Sequence, residues 1–307
     1  MQSTNTVLMV RPYHFGYNEE TAENNAFMQP AQRLTEREIE VRARQEFENL
    51  VAALRDAGVQ VIVVADSANP VKPDAVFPNN WFSTHADNSV FTYPMYAPTR
   101  RAERDNPVLQ TLAEGYQIDR TIELQYAESA EQYLEGTGSM VLDRVNKICY
   151  VCESERSDLE LAARWCEIMA YRLVEFAATD RDGLPVYHTN VIMAIGSKEV
   201  VVCFESIAKT DRKRVRSELT TGGHSIIDIS FEQVLGFSGN MLEVLDGKGV
   251  ARWAMSSQAF KALSSVQQEQ LSTRGAIIHS DIEAIEQLGG GSARCMIAEI
   301  FLDPLTS

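Results

Sequence analysis

The feature that most constrains this chain is a period. Asn80, Glu135, His188, Asn240 and Cys295 recur at the same place in a repeated pattern, at separations of 55, 53, 52 and 55 residues. A near-constant spacing of this size marks repeated supersecondary modules. Each module reads as strand, strand, helix, strand, which makes the chain α/β. Apolar runs predict strands over 59–65, 76–84, 90–94, 134–142, 148–152, 173–177, 188–195, 200–204, 225–229, 239–245, 250–255 and 276–279, with another from Tyr116. Helical periodicity is expected from about Arg33 to Ala57 and over 101–114, 158–170, 209–219 and 258–272. The first strand, Val7 to Val10, has no partner before it. The last, Cys295 to Leu302, has none after it. Pairing these two closes a ring of five modules, and in a ring the five equivalent residues meet at the axis. Such a ring is one domain, 1–307, and no Pro/Ser/Gly-rich linker interrupts it.

Composition narrows the function. Apolar residues make up 45% of the 307 positions, enough for a sizeable core. A formal net charge of -15 with no large basic cluster argues against a nucleic-acid partner, while leaving room for a local pocket of opposite sign. The start, Met1-Gln2-Ser3-Thr4-Asn5, has no signal-peptide pattern, and no apolar run approaches a membrane span. Five sparse cysteines fit free thiols in a reducing, cytoplasmic setting. Cys149 and Cys152 form a CxxC, but Lys147 to Cys152 reads as a strand, where an odd offset puts the thiols on opposite faces. No second Cys/His pair lies nearby, so neither a metal nor a cofactor is expected.

The ring brings a thiol, an imidazole and a carboxylate together. Chemistry at an sp² carbon uses these types: a thiolate attacks, an imidazole moves protons, and a carboxylate orients it. Cys295 follows Gly289-Gly290-Gly291-Ser292-Ala293-Arg294. Three glycines there have no packing value and suit positive φ or close backbone approach to a ligand. His188 stands at the mouth of an apolar strand. His14, His85, His224 and His279 lack the repeat phase, and His85, next to a turn, is expected to be solvated. Residues 13–30, rich in Asn, Glu and aromatic side chains, are read as a lid.

These residues together resemble the pentein superfamily of guanidine-modifying enzymes, whose fold is an α/β-propeller of five pseudo-symmetric ββαβ modules. The segment from Gly289 to Met296 is similar to the nucleophile segment of arginine deiminases. Glu135-Gly136 resembles the family's acidic-Gly-Gly-Asp turn, with Thr137 and Gly138 as departures. His188-Thr189-Asn190 resembles His-x-Asp, with Asn in place of Asp. The stretch Pro73 to Asn80 is similar to a dimethylarginine hydrolase segment that has acidic residues where Asn79 and Asn80 stand. The resemblance implies Cys295 as nucleophile, His188 as general acid/base and Glu135 as its partner. It implies substrate contacts at Phe77, Asn79, Asn80, Asn190 and Asn240. Arg100 and Arg156 would hold the substrate carboxylate, and Asp74 its amine. Met9 to Gly16, Asn24 to Phe27 and Phe77 to Phe82 look most like the citrulline-utilisation hydrolases, related to arginine deiminases and amidinotransferases.

The departures carry a physical meaning. A guanidinium presents five N–H donors and a charge, which carboxylates complement. Against Asn80 and Asn190 it would be a poorly compensated cation, at a cost of several kcal/mol. A ureido group is neutral, with one acceptor and several donors, and asparagine complements both. The expected reaction is therefore citrulline to ornithine, carbon dioxide and ammonia through an S-carbamoyl-cysteine. Because citrulline brings no positive charge, His188 is expected to ionise Cys295 in the free enzyme. Arginine deiminase, dimethylarginine hydrolase and amidinotransferase chemistry are the alternatives, with a non-catalytic amino-acid-binding scaffold outside the enzymes. The expected partner is a small amino acid, with no nucleic acid and no membrane; an oligomer is compatible with the sequence.

Overall fold

The computed structural model describes residues 1–30 and 34–305. It contains five three-stranded sheets. In each, a short strand runs antiparallel to a middle strand, and a third runs parallel to it. The four internal sheets join Phe82–Thr84, Ser89–Thr92 and Arg120–Glu123; Val141–Asp143, Ile148–Cys152 and Arg172–Phe176; Met193–Ile195, Glu199–Val202 and Ser225–Asp228; and Leu242–Leu245, Ala251–Ser256 and Ile278–Ser280. The fifth closes the ring. Thr6–Arg11 pairs antiparallel with Ala298–Glu299, in the register Val7↔Glu299 and Leu8↔Ala298, and parallel with Gln60–Ala65. The pentein α/β-propeller is thus the fold.

The helices lie between the second and third strands of each module, as parallel pairing requires. The longest, Glu36–Asp56, buries Ile39, Ala43, Phe47, Leu50 and Leu54 at helical spacing. Thr35 and Glu38 cap it reciprocally, an arrangement worth about 1 kcal/mol. Arg33, the expected start, lies outside the described residues. Two expected helices are each broken. Pro107 separates Pro98–Arg101 and its continuation Ala102–Asp105 from Val108–Gly115. The Ser264 cap separates Ser257–Ala262 from Ser265–Leu271. The strand expected from Tyr116 begins only at Arg120.

Apolar side chains form four clusters among the described residues, each shared by neighbouring modules. The core therefore lies between modules and leaves the axis to polar groups. Cys149 and Cys152 face two different clusters, as the odd strand offset requires. His85 departs from expectation. It is buried, bonded to Ser83 Oγ at 2.8 Å, with its ring 5.5 Å from that of Trp165.

The inner strands are shorter than their apolar runs suggest. Pro78–Asn80 and Thr189–Val191 are 3-10 turns, while Gly136–Ser139 and Ala293–Met296 are single helical turns. Cys295 thus sits in a turn, and the last strand is only Ala298–Glu299. The physical reason is the axis itself. Five strands converging there would crowd, whereas a turn ends the ladder and delivers one polar side chain inward. Pro78, which has no N–H to give a ladder, starts the first of these turns.

Candidate active site

The turns bring the periodic residues into contact. His188 Nε2 lies 2.8 Å from Glu135 Oε2, and both side chains are almost fully buried, at 2% and 0% exposure. The second carboxylate oxygen accepts the Tyr96 backbone N–H at 3.0 Å. Burial opposes ionisation of Glu135. Arg156, the His188 hydrogen bond and Arg100 outweigh it and hold the carboxyl down at about 2. An ionised carboxylate only accepts, so Nε2 carries the imidazole proton and Nδ1 keeps its lone pair. Nδ1 lies over Gly138: a Cβ there would stand 2.7 Å from it and 2.5 Å from Asn80 Nδ2. Glycine at 138, a departure from the family turn, is what lets both groups reach the axis.

Burial pushes the His188 pKa below its ordinary value, Glu135 pulls the other way, and the net direction is downward. Burial thus works against the His188 cation that the sequence leads us to expect beside the thiol. Two amides also approach the sulfur. Asn240 Nδ2 is 3.4 Å and Asn190 Nδ2 3.6 Å from Cys295 Sγ. Asn240 is itself fixed by the Arg294 N–H on its Oδ1 at 3.1 Å and the Asn190 carbonyl at 3.1 Å. Both amides face the nucleophile, where a substrate contact was expected.

A small cavity of about 20 Å³ joins the parts, with room for about one water. Asp74, Phe77, Asn80, Arg100, Arg156, His188 and Cys295 all line it. Glu135, Asn190, Asn240 and Asn79 do not. The Asn79 amide donates to Thr137 Oγ1 at 3.3 Å. Asn80 accepts from Arg100 Nη1 at 2.8 Å, while its buried Nδ2 has no partner. Asp74 Oδ2 accepts from Asn18 at 2.7 Å, and its buried Oδ1 is unpartnered. Burial raises the Asp74 pKa against the opposing pull of Arg100, Asn18 and Arg156.

The two arginines differ. Arg100 is committed to Glu103 at 2.7 and 3.0 Å, to Asn80, and to the Phe77 carbonyl at 3.2 Å. Arg156 gives Nε and Nη2 to Asn24 and the Thr21 carbonyl, leaving Nη1 3.7 Å from Glu135. The two buried cations are matched by the carboxyl groups of Asp74, Glu103 and Glu135, so the site is not the local pocket of opposite sign that composition permits.

Sequence reasoning missed Thr21, Asn25 and Tyr187, which also line the cavity. The first two belong to the polar segment 13–30, read as a lid for its composition but without named contacts. Tyr187 donates to the Gly290 carbonyl at 2.7 Å, a backbone partner that no side-chain pattern reveals. The glycines also need correction. Of the three, only Gly290 has positive φ, at 63°. A Cβ at Gly289 or Gly291 would meet the Phe77 ring at 2.7 and 3.0 Å, so these two do have packing value.

The family model described as N,N dimethylarginine dimethylhydrolase, eukaryotic, matches residues 11–302. No curated protein matches the chain. Among solved structures, the N-terminal domain of ArgZ, an arginine dihydrolase from the ornithine-ammonia cycle in cyanobacteria, superposes with a TM-score of 0.75 at 16% identity over 98% of this chain and 99% of that one. Unliganded AgrE gives a TM-score of 0.75 at 16% identity, over 98% of this chain and 40% of its own. A dimethylarginine dimethylaminohydrolase variant carrying an S-methyl-L-thiocitrulline adduct gives 0.67 at 14% identity, over 98% and 100%. Propeller, site geometry and family match agree: the chain belongs to the N,N dimethylarginine dimethylhydrolase family of the pentein superfamily and is a hydrolase of carbon–nitrogen bonds.

Proposed function

We propose that this enzyme hydrolyses citrulline to ornithine, carbon dioxide and ammonia, in the manner of the citrulline-utilisation hydrolases. One observation carries the reading: the side chains within hydrogen-bonding reach of the sulfur are amides, not carboxylates. Asn190 and Asn240 approach the thiol, and Asn80, which lines the cavity, has a buried Nδ2 without a partner. Glu135, the carboxylate nearest the ring of His188, is already bound by that ring and by the Tyr96 N–H. A neutral ureido oxygen can take donors here and its N–H groups can meet the unpartnered Asn190 Oδ1, whereas a guanidinium would find one unpartnered carboxylate oxygen, on Asp74.

The amino-acid head is held at the opposite side. Asp74 Oδ1, buried without a partner, takes the α-amine, and Arg156 Nη1 takes the α-carboxylate. Arg100 then serves to hold Asn80 rather than substrate. His188 Nδ1 accepts the Cys295 proton as the sulfur attacks the ureido carbon, and the two amides stabilise the thiolate. His188 returns the proton to the departing ornithine amine. The S-carbamoyl-cysteine is then cleaved by one water, activated at the same nitrogen, and the released carbamate gives carbon dioxide and ammonia. Since the cavity holds about one water, part of its lining, to which Thr21 and Asn25 belong, has to shift to admit substrate.

A second reading is arginine hydrolysis. It is favoured by the unpartnered Asp74 carboxylate oxygen and by the arginine dihydrolase activity named for a structural neighbour. Incubation with citrulline and with arginine, followed by mass analysis of the products, separates the two. Ornithine from citrulline with arginine left intact supports the proposal. Citrulline accumulating from arginine overturns it.

A further inference from the structure

The nucleophile turn is connected to the helix Glu283–Gly289 through Gly290 and Gly291, with Tyr187 and Asn25 bonded to the Gly290 carbonyl. One side-chain contact joins the helix to the turn itself. Glu286, on the helix Glu283–Gly289, accepts the Ser292 hydroxyl at 2.6 Å, and both residues are buried. The Ser292 carbonyl in turn accepts the N–H groups of Cys295 at 2.9 Å and Met296 at 3.3 Å. The other oxygen of Glu286, Oε2, is buried without a partner. A half-satisfied buried carboxyl costs about 1–3 kcal/mol, more if charged, and packing alone gives no reason to place one there.

We propose that Glu286 is a positioning residue for the nucleophile: through Ser292 it clamps the turn that aims Cys295. The inference rests on Cys295 being the nucleophile, but not on which substrate it attacks. The surroundings make the clamp sensitive to pH. Burial raises the Glu286 carboxyl to about 7, against the lowering effect of the nearby Ser256 and Ser292 hydroxyls, and the nearby Glu46 and Asp281 add to the rise. Glu46 comes from the long helix and is bound by the Ala284 and Ile285 N–H groups at 3.0 Å each and by Arg42 at 3.1 Å. Ionisation of Glu286 turns the Ser292 contact into a charge-assisted hydrogen bond, which is stronger than a neutral one. The turn is therefore held more firmly above pH 7 than below it.

The test reads the sulfur directly. Iodoacetamide alkylation at Cys295 is followed by peptide mass analysis across pH 5.5–9, alongside citrulline turnover, in wild type, E286Q, E286A and S292A. Thermal melts confirm folding. S292A and E286A are expected to lose about ten-fold in alkylation rate and kcat with KM within about two-fold, the pattern of a displaced nucleophile. E286Q, which can still accept from Ser292, should recover most of that rate and lose an inflection near pH 7. Folded S292A and E286A alkylating at the wild-type rate, or an inflection unchanged in E286Q, would overturn the clamp. If wild type alkylates but leaves citrulline intact, the proposed substrate fails while the clamp is still tested.

Discussion

The molecule contains two buried imidazole–carboxylate pairs of nearly identical geometry. His188 meets Glu135 at 2.8 Å on the axis, and His224 meets Asp143 at 2.7 Å near the rim of a neighbouring module. In the second, Asp143 also accepts from the Asn146 backbone and side chain, and Asn146 bonds the Gly222 carbonyl. That pair staples a hairpin turn to a helix end. In the first, the imidazole lines a cavity together with a thiol, an amide and two arginines. The lesson is that a His–carboxylate contact alone says nothing about catalysis. What matters is whether the imidazole opens onto a cavity that holds other reactive groups. The repeat phase marks the difference, since 188 falls on the period and 224 does not.

The thiols give the strongest way to break this comparison. Cys295→Ala should lower kcat by at least about 10⁴-fold. Cys152→Ala should leave it within two-fold, because burial pushes the Cys152 thiol up to about 12 and its sulfur meets the Val186 carbonyl and the Thr189 hydroxyl rather than an imidazole. Parallel steady-state assays check both.

The pairs come next. Glu135→Gln leaves the imidazole without its anionic partner, and kcat should fall by about 10²–10⁴-fold. Asp143→Asn should keep kcat and cost about 1–3 kcal/mol in urea unfolding. A large kcat loss in the Asp143 variant would erase the distinction. Glu135 also gives a pH signature. Its folded pKa, near 2, lies below the ordinary value of 4.5, so its stabilisation is present above pH 4.5 and is lost as pH falls toward 2. Relative to wild type, Glu135→Gln should be less stable at neutral pH, with the gap closing in acid.

A smaller effect concerns substrate choice. Asn80→Asp adds a carboxylate facing the cavity and should shift the kcat/KM ratio toward arginine by about 10–100-fold. No shift would mean that Asn80 does not contact the substrate. Smaller still, Gly138→Ala must displace Asn80 Nδ2 and His188 Nδ1, both within 3 Å of the new methyl. We expect about a ten-fold loss of kcat with an intact fold.

Much of this was legible in the chain because symmetry converts spacing into proximity. The ring closure of Val7 with Glu299 follows from the unpaired first and last strands, and the convergence of Glu135, His188 and Cys295 from the period. What stayed hidden has local causes. Apolar residues beside Asn80 and His188 look like strand continuations, yet steric convergence turns them into 3-10 turns. Asn79 and Asn80 are adjacent, and only backbone geometry decides that Asn80 enters the cavity. Arg100 carries the motif of a substrate ligand, but Glu103 and Asn80 occupy its donors. The lowered His188 pKa depends on burial, which no motif encodes.

The claim beneath all of these is covalent: the sulfur of residue 295 takes the substrate's ureido carbon before water does. Acid-quenching the enzyme during turnover of citrulline labelled at that carbon, then mapping the label by peptide mass analysis, tests it. The account predicts label on the peptide containing Cys295 and none in Cys295→Ala. Steady turnover with label on another residue, or with no adduct when release is the slow step, would contradict it.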